Sequence, residues 1–245
     1  MTKYNLSFIT DENLFQHVKN TVLQHRSSIN LSDFNKNIID PIKLTFDSKV
    51  YGLDIKEIIE NECIRQIDKS NGTYIGYFHQ NIFKYLGKDW VVPKQGFDII
   101  NDEKNIFVEL KNKHNTMNSS SSQKVYTKMQ NTLLRNDKAT CMLVEVIAKT
   151  SQNITWSISL DGEKMSHERI RRVSIDKFYE IVTGEKDAFY KLCQILPVVL
   201  NDVIKETKQG KIDNSVFEEL SKESKDIITS LYSLSFKTYE GFNIL

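Results

Sequence analysis

The stretch Phe97-Asp98-Ile99-Ile100-Asn101-Asp102-Glu103-Lys104-Asn105-Ile106-Phe107-Val108-Glu109-Leu110-Lys111-Asn112-Lys113 decides how this chain is read. Two runs, 97–101 and 106–113, flank a polar turn of four residues, which is the pattern of a β-hairpin. With Asn101 opposite Ile106, counting back sets Ile100 against Phe107, Ile99 against Val108 and Asp98 against Glu109. Opposed residues of an antiparallel pair have Cβ atoms about 4.5–5.5 Å apart. Residues two apart on a strand share a face, so Asp98, Glu109 and Lys111 fall together. Phe97, Ile99, Val108 and Leu110 then make the opposite, core-facing surface.

The triplet acid-x-Lys alone carries little, because Glu206-x-Lys208, Glu223-x-Lys225, Asp47-x-Lys49, Asp54-x-Lys56 and Asp102-x-Lys104 repeat it. The hairpin register sets Glu109-Leu110-Lys111 apart. Like charges directly opposed destabilise a sheet. A hard cation such as Mg²⁺ would compensate, since it takes one or two carboxylates and completes its shell with water and phosphate oxygens. Such a cation polarises a phosphodiester and lowers the pKa of bound water. Lys111, a compact point charge, suits orienting or deprotonating that water and stabilising a pentavalent transition state. The same residues also suit a solvated hairpin face on which Lys111 is an ordinary ion-pair partner.

Outward from the hairpin, helix and strand patterns alternate. Ile55, Ile58, Ile59, Cys63, Ile64 and Ile67 recur at helical spacing behind Asp54 as N-cap, and Asn71-Gly72 reads as the end of that helix. Tyr74, Tyr77, Phe78, Ile82, Phe83 and Leu86 give a second helix closed by Gly87. Trp90-Val91-Val92 is a short strand stopped by Pro93. Residues 119–135 read as a helix, 141–148 as an apolar central strand and 154–160 as a further strand. Helices follow at 175–183, at 188–208 with a kink expected at Pro197, and at 216–234. Before residue 50 only an amphipathic stretch over 14–23 and a polar connection through 35–37 to Pro41 stand out. The order predicts an α/β class: one domain over 1–245, its core at about 54–160 and a helical C-terminal part at 175–245.

The 245 residues are 40% hydrophobic and 27% charged, ordinary for a globular protein and enough for one large domain. A net charge of +1 neither selects nor excludes nucleic acid, because phosphate contacts depend on one basic face. The apolar run 195–200 is interrupted by Pro197 and too short to span a bilayer, and Met1-Thr2-Lys3-Tyr4-Asn5 opens no signal-peptide core. Cys63, Cys141 and Cys193 are odd in number and widely spaced, which argues against a disulfide framework or zinc knuckle and for a reducing cytoplasm.

A helix, a strand meander holding Asp and then Glu-x-Lys, a helix and a further strand resemble the core of the PD-(D/E)XK nuclease superfamily, a mixed sheet flanked by helices. Four segments are similar to the type II restriction endonuclease family that recognises GGNCC. They are Ile39-Asp40-Pro41-Ile42-Lys43-Leu44-Thr45-Phe46-Asp47-Ser48-Lys49, Gly76-Tyr77-Phe78-His79-Gln80-Asn81-Ile82-Phe83, the stretch from Val108 through His114 and Asn115 to Ser120, and Ser174-Ile175-Asp176-Lys177-Phe178-Tyr179-Glu180-Ile181-Val182-Thr183-Gly184. The resemblance spans about residues 35–200. It implies Asp98 and Glu109 as Mg²⁺ ligands, Lys111 as the catalytic lysine, and double-stranded DNA as substrate. It also implies a companion methyltransferase and a bacterial or archaeal cytoplasm. Phe97 stands where the superfamily motif has its proline. The helix at 74–86 carries no acid, so a second metal site would need Glu57, Glu60 or Glu62 from the earlier helix.

Other residues have weaker patterns. His114 and Asn115 suit a phosphate contact or an exposed loop, and His79 suits core packing. Ser119 to Ser122 suit helix N-capping. Lys113, Lys124 and Lys128 flank the hairpin and suit phosphate contacts. Lys164, His167, Arg169, Arg171 and Arg172 form the densest basic run, placed after the last strand. That run suits a solvated segment or arginines paired to guanine edges in the major groove. The apolar stripes of 188–234 suit core packing or a homodimer, since a two-fold protein matches a near-palindromic site. A repair or junction-resolving nuclease, and a non-catalytic DNA-binding protein on the same scaffold, remain the alternatives.

Overall fold

The computed structural model describes residues 2–87, 89–114, 116–160, 162–207, 213–223 and 226–236. In chain order it contains α1 (Asp11–Gln24), β1 (Ser28–Ile29), α2 (Leu31–Asn35), α3 (Pro41–Tyr51), α4 (Ile55–Asn81) and a 3₁₀ turn (Ile82–Tyr85). These are followed by β2 (Ile99–Asn101), β3 (Ile106–Lys113), α5 (Ser119–Arg135), β4 (Thr140–Ile147), β5 (Asn153–Leu160) and β6 (Glu163–Ser174). Then come α6 (Ile175–Thr183), α7 (Ala188–Thr207), β7 (Asp213–Asn214), α8 (Val216–Glu223) and α9 (Ile227–Phe236). The fold is α/β, with a mixed sheet flanked by helices and a helical C-terminal part. No helix among the described residues is long and apolar enough to cross a membrane.

The chain divides into two compact units. The first comprises Met1–Leu23 and Ile75–Thr207 and holds a five-stranded sheet in the order β2-β3-β4-β6-β5. β2 and β3 form the expected hairpin, with Ile99↔Val108, Ile100↔Phe107 and Asn101↔Ile106 in register. β3, β4 and β6 run parallel, and β5 returns antiparallel on β6. Parallel pairing of β3 with β4 requires a crossover, and α5 supplies it. Asn118 caps α5 by accepting from the Ser121 amide at 2.8 Å. Tyr126 and Met129 of α5 pack on Cys141, Leu143, Trp156 and Ile170 on one face of the sheet. The other face buries Ile99, Val108, Met142, Val144 and Val173 against Leu14, Phe83, Phe178, Tyr179 and Val199. Of Trp90-Val91-Val92, only Val91 bridges, pairing with Ile100.

β6 corrects the placement of the basic run. Lys164, His167, Arg169, Arg171 and Arg172 lie within a twelve-residue strand, not after the last one. Its apolar content is low because the part before Ile170 pairs with β5 alone, while Ile170 to Ser174 insert between β4 and β5.

The second unit comprises Gln24–Tyr74 and Lys208–Leu245. β1 pairs parallel with β7, and Phe34, Leu44, Ile59, Cys63, Val216, Leu220 and Leu231 form its core. α3 was hidden in the sequence because Ile42, Phe46, Val50 and Tyr51 face solvent and leave no inward stripe. Asp40 caps it and Pro41 opens it, which suits the proline's missing N–H. The single helix expected at 216–234 is α8 and α9; residues 224–225 lie outside the described ones.

The two helices expected on either side of Asn71-Gly72 are one, α4. The Asn71 side chain accepts from the Arg26 amide at 2.7 Å and donates to the Arg26 carbonyl at 3.0 Å, so it ties down a neighbouring segment. Gly87 caps no helix. A Cβ there would meet the Trp90 ring at 3.0 Å, so close packing explains the glycine.

Candidate active site

The hairpin register holds as far as Ile99↔Val108 and then slips. The Asp98 amide also donates to the Val108 carbonyl, at 2.9 Å, so two residues of one strand address one of the next, as in a β-bulge. The offset moves the alternation by one residue. Phe97 consequently lies on the α5 face against Phe107, at 5.5 Å between ring centroids, instead of joining Ile99, Val108 and Leu110. Asp98 likewise leaves the ladder position opposite Glu109. Its Oδ2 accepts from the Leu110 amide at 2.7 Å, and its carbonyl accepts from Gln80 at 3.0 Å.

Strand alternation puts Phe107, Glu109 and Lys111 on the α5 face of β3. Glu109 lies between two ammonium groups. Lys111 Nζ donates to Oε1 and Lys128 Nζ to Oε2, each at 2.8 Å. Lys128 also donates to the Gly96 carbonyl at 2.8 Å and sits 4.2 Å from the Phe97 ring centroid. The bulge and α5 together thus place a second lysine at the acid.

The two carboxyls are pushed in opposite directions. Burial raises Asp98 above the ordinary carboxylate range, and the charge of Glu109 adds to this against the Leu110 hydrogen bond and the lysines. Burial also raises Glu109, but hydrogen bonds from Lys111 and Lys128 outweigh it and hold the acid below its ordinary value. One acid is therefore short of positive charge and the other well supplied. Among the described residues no three His, Cys, Asp or Glu side chains cluster into a closed metal cage. Two carboxylates with open positions fit Mg²⁺, which keeps water and phosphate oxygens in its shell.

A buried cluster on the same face escaped the sequence reading. Glu145 of β4 is wholly buried and is the register partner of Lys111. Arg172 of β6 donates to Glu145 Oε1 through Nε at 3.0 Å and also through Nη2. His114 Nδ1 lies 3.0 Å from Oε2. The available signal was a lone acid inside the otherwise apolar run 141–148.

The other candidates are dispersed. Lys113 and Lys124 are exposed, and Asn115 lies outside the described residues. Arg169 donates to the Asp137 carbonyl, and Arg171 to Asn153 and to Thr155 Oγ1, the latter at 3.2 Å. Glu57, Glu60 and Glu62 are engaged with Asp54, Lys56 and Arg65 within the second unit. His79 is half-buried, its ring edge-on to that of Phe78.

A mixed five-stranded sheet flanked by helices, with an acid leading into Glu-x-Lys, fits a nuclease-like fold. The family model for Eco47II restriction endonuclease matches residues 6–205. The type II restriction enzyme Sau96I of Staphylococcus aureus is 34% identical over 239 residues, covering 92% of this chain and 91% of that protein. The type II restriction enzyme Eco47II of Escherichia coli is 27% identical over 214 residues, covering 82% and 89% respectively. The chain belongs to the Eco47II restriction endonuclease family, and with it to the type II site-specific deoxyribonucleases.

Proposed function

We propose that this enzyme hydrolyses both strands of DNA at a GGNCC-like site with Mg²⁺, as a cytoplasmic homodimer. Its genetic partner would be a methyltransferase that protects host DNA. The observation carrying the catalytic assignment is the convergence of Asp98, Glu109 and Lys111 at the bulged end of the β2–β3 hairpin. Enzymes of this class generally use a divalent metal. Asp98 and Glu109 would hold Mg²⁺, which when bound supplies charge neutralisation and a water of lowered pKa.

Only Oδ2 of Asp98 is hydrogen-bonded among the described residues, which leaves Oδ1 for a cation. Lys111, fixed through Glu109, orients the attacking water or stabilises the charge developing on the phosphate. Lys128 offsets part of the charge of Glu109 before a cation arrives.

End-mapping of fragments from unmethylated plasmid DNA in Mg²⁺ tests this reading. Discrete fragments with GGNCC at their junctions are expected. Structure-dependent nicking would indicate a repair enzyme, and binding without cleavage a non-catalytic protein. Asp98→Ala, Glu109→Ala and Lys111→Ala are each expected to abolish cleavage while the thermal transition survives. Retained cleavage in the Asp98 or Glu109 variant overturns the assignment.

A further inference from the structure

Glu145 is a fully buried carboxylate in the middle of the sheet, an expensive place for a charge unless its partners are fixed by it. Both oxygens are used. Arg172 holds Oε1 through Nε and Nη2, and His114 lies on Oε2. The carboxylate is sealed, whereas the Arg172 and His114 side chains are each about a fifth exposed. They open onto a pocket of about 400 Å³ whose remaining walls are Met117, Ser122 and Trp156. Nη1 of Arg172 makes no hydrogen bond among the described residues. Ser122 lies in the first turn of α5, where amide N–H groups add positive potential.

We infer that Arg172 and His114, locked in place by Glu145, form a subsite for a phosphodiester group of bound DNA a few phosphates from the one that is cut. The inference rests on the nuclease reading above. Lys111 and Glu145 are register partners, so the subsite shares the face that carries Glu109 and Lys111. β3 and β6 are two strand spacings apart, roughly 10 Å. That spans a few phosphates of a DNA strand rising about 3.4 Å per nucleotide. Arg172 does not suit the guanine reading proposed from sequence. Pairing to guanine needs two parallel donors, and two of the guanidinium nitrogens are committed to Glu145. A nitrogen without a partner among the described residues, beside an imidazole, suits a phosphate oxygen, which asks for charge and not for a fork.

The test is equilibrium binding of the full chain, free of divalent metal, to a short duplex containing GGNCC and to one lacking it, across a salt series. Arg172→Gln is expected to weaken binding to both duplexes alike, roughly tenfold, and to reduce the slope of log K against log salt by about 0.9, one phosphate's worth. Replacing the duplex phosphates one by one with neutral methylphosphonates is expected to reveal a position that weakens wild-type binding and is silent in the variant. Unchanged affinity and slope in a folded Arg172→Gln protein would reduce the cluster to a staple between strands and overturn the inference. Loss confined to the GGNCC duplex would also overturn it, in favour of base reading. Should Arg172→Gln not fold, the scan is decided with His114→Gln: a silenced position supports the subsite, and an unchanged scan overturns it. Wild-type protein that cuts DNA in Mg²⁺ while these outcomes fail removes the subsite alone. Wild-type protein that neither binds nor cuts removes the nuclease reading as well.

Discussion

Replacing Asp98 by asparagine is expected to stabilise the metal-free protein and to abolish cleavage. Burial, with Glu109 adding to it, holds the Asp98 carboxyl above its ordinary range. A folded-state pKa above the unfolded one means that folding favours the neutral form. The stabilising contribution is present below the unfolded carboxylate pKa and is lost as pH rises through the folded value, so at neutral pH the ionised side chain costs stability. The substituted amide is neutral at every pH, and its carbonyl oxygen can still accept from the Leu110 amide that Asp98 now engages. Relief of a close like-charge pair is about 0.2–1 kcal/mol, up to about 4 °C in Tm for a chain of this length. On the proposed assignment, cleavage loses a metal ligand. Several kcal/mol of transition-state stabilisation disappears with it, about a thousandfold or more in rate. Thermal unfolding without divalent metal, compared between neutral pH and about pH 4, measures the first effect; the advantage of Asp98→Asn should be largest at neutral pH and vanish in acid. Added Mg²⁺ should then raise the wild-type Tm by mass action, about 2.7 kcal/mol at a hundredfold excess over Kd, and leave the variant unmoved. An Asp98→Asn protein that melts below wild type at neutral pH, or that still responds to Mg²⁺, refutes the reasoning.

Acid is expected to destabilise the first unit through His17 and His79, each lowered to about 4, mainly by burial. Their contribution is present above the unfolded pKa near 6.5 and is lost as pH falls through the folded value, up to about 3 kcal/mol for each. Urea unfolding at neutral pH and at about pH 4.5 reads this, and His79→Leu should flatten the dependence; an unchanged dependence would show that His79 is not held neutral by the core. Gly72→Ala is expected to stabilise α4 by about 0.5–1 kcal/mol, since a Cβ there meets nothing within 4 Å. A rise of roughly 1–4 °C in Tm is expected, and a fall would mean that the helix is broken at this point in solution.

Local rules made much of the β2–β3 hairpin legible. The four-residue turn and the apolar alternation specified the pairing of Ile99 with Val108, and Ser119–Arg135 and Ile175–Thr183 matched their expected bounds. Legibility stopped where a residue's role depends on contacts distant in the chain. Asn71-Gly72 carries a helix-ending signal, yet α4 continues, because Asn71 serves the Arg26 backbone instead of stopping its own helix. β6 is polar over its first half because part of it has one strand neighbour rather than two, and so it reads as a surface segment.

What the sequence alone determined was therefore the α/β class, the hairpin and the membership of Glu109 and Lys111 on one face, all products of periodicity two residues apart. Only the tertiary structure decided how that face works. The slip at Asp98 is a one-residue hydrogen-bond choice that turns Phe97 over and sends the carboxylate to Leu110. Lys128 reaches Glu109 across nineteen positions, and Arg172 reaches Glu145 across twenty-seven. Such partners meet because parallel strands and a crossover helix bring them together, and no local pattern in the chain records which charges will share a buried space.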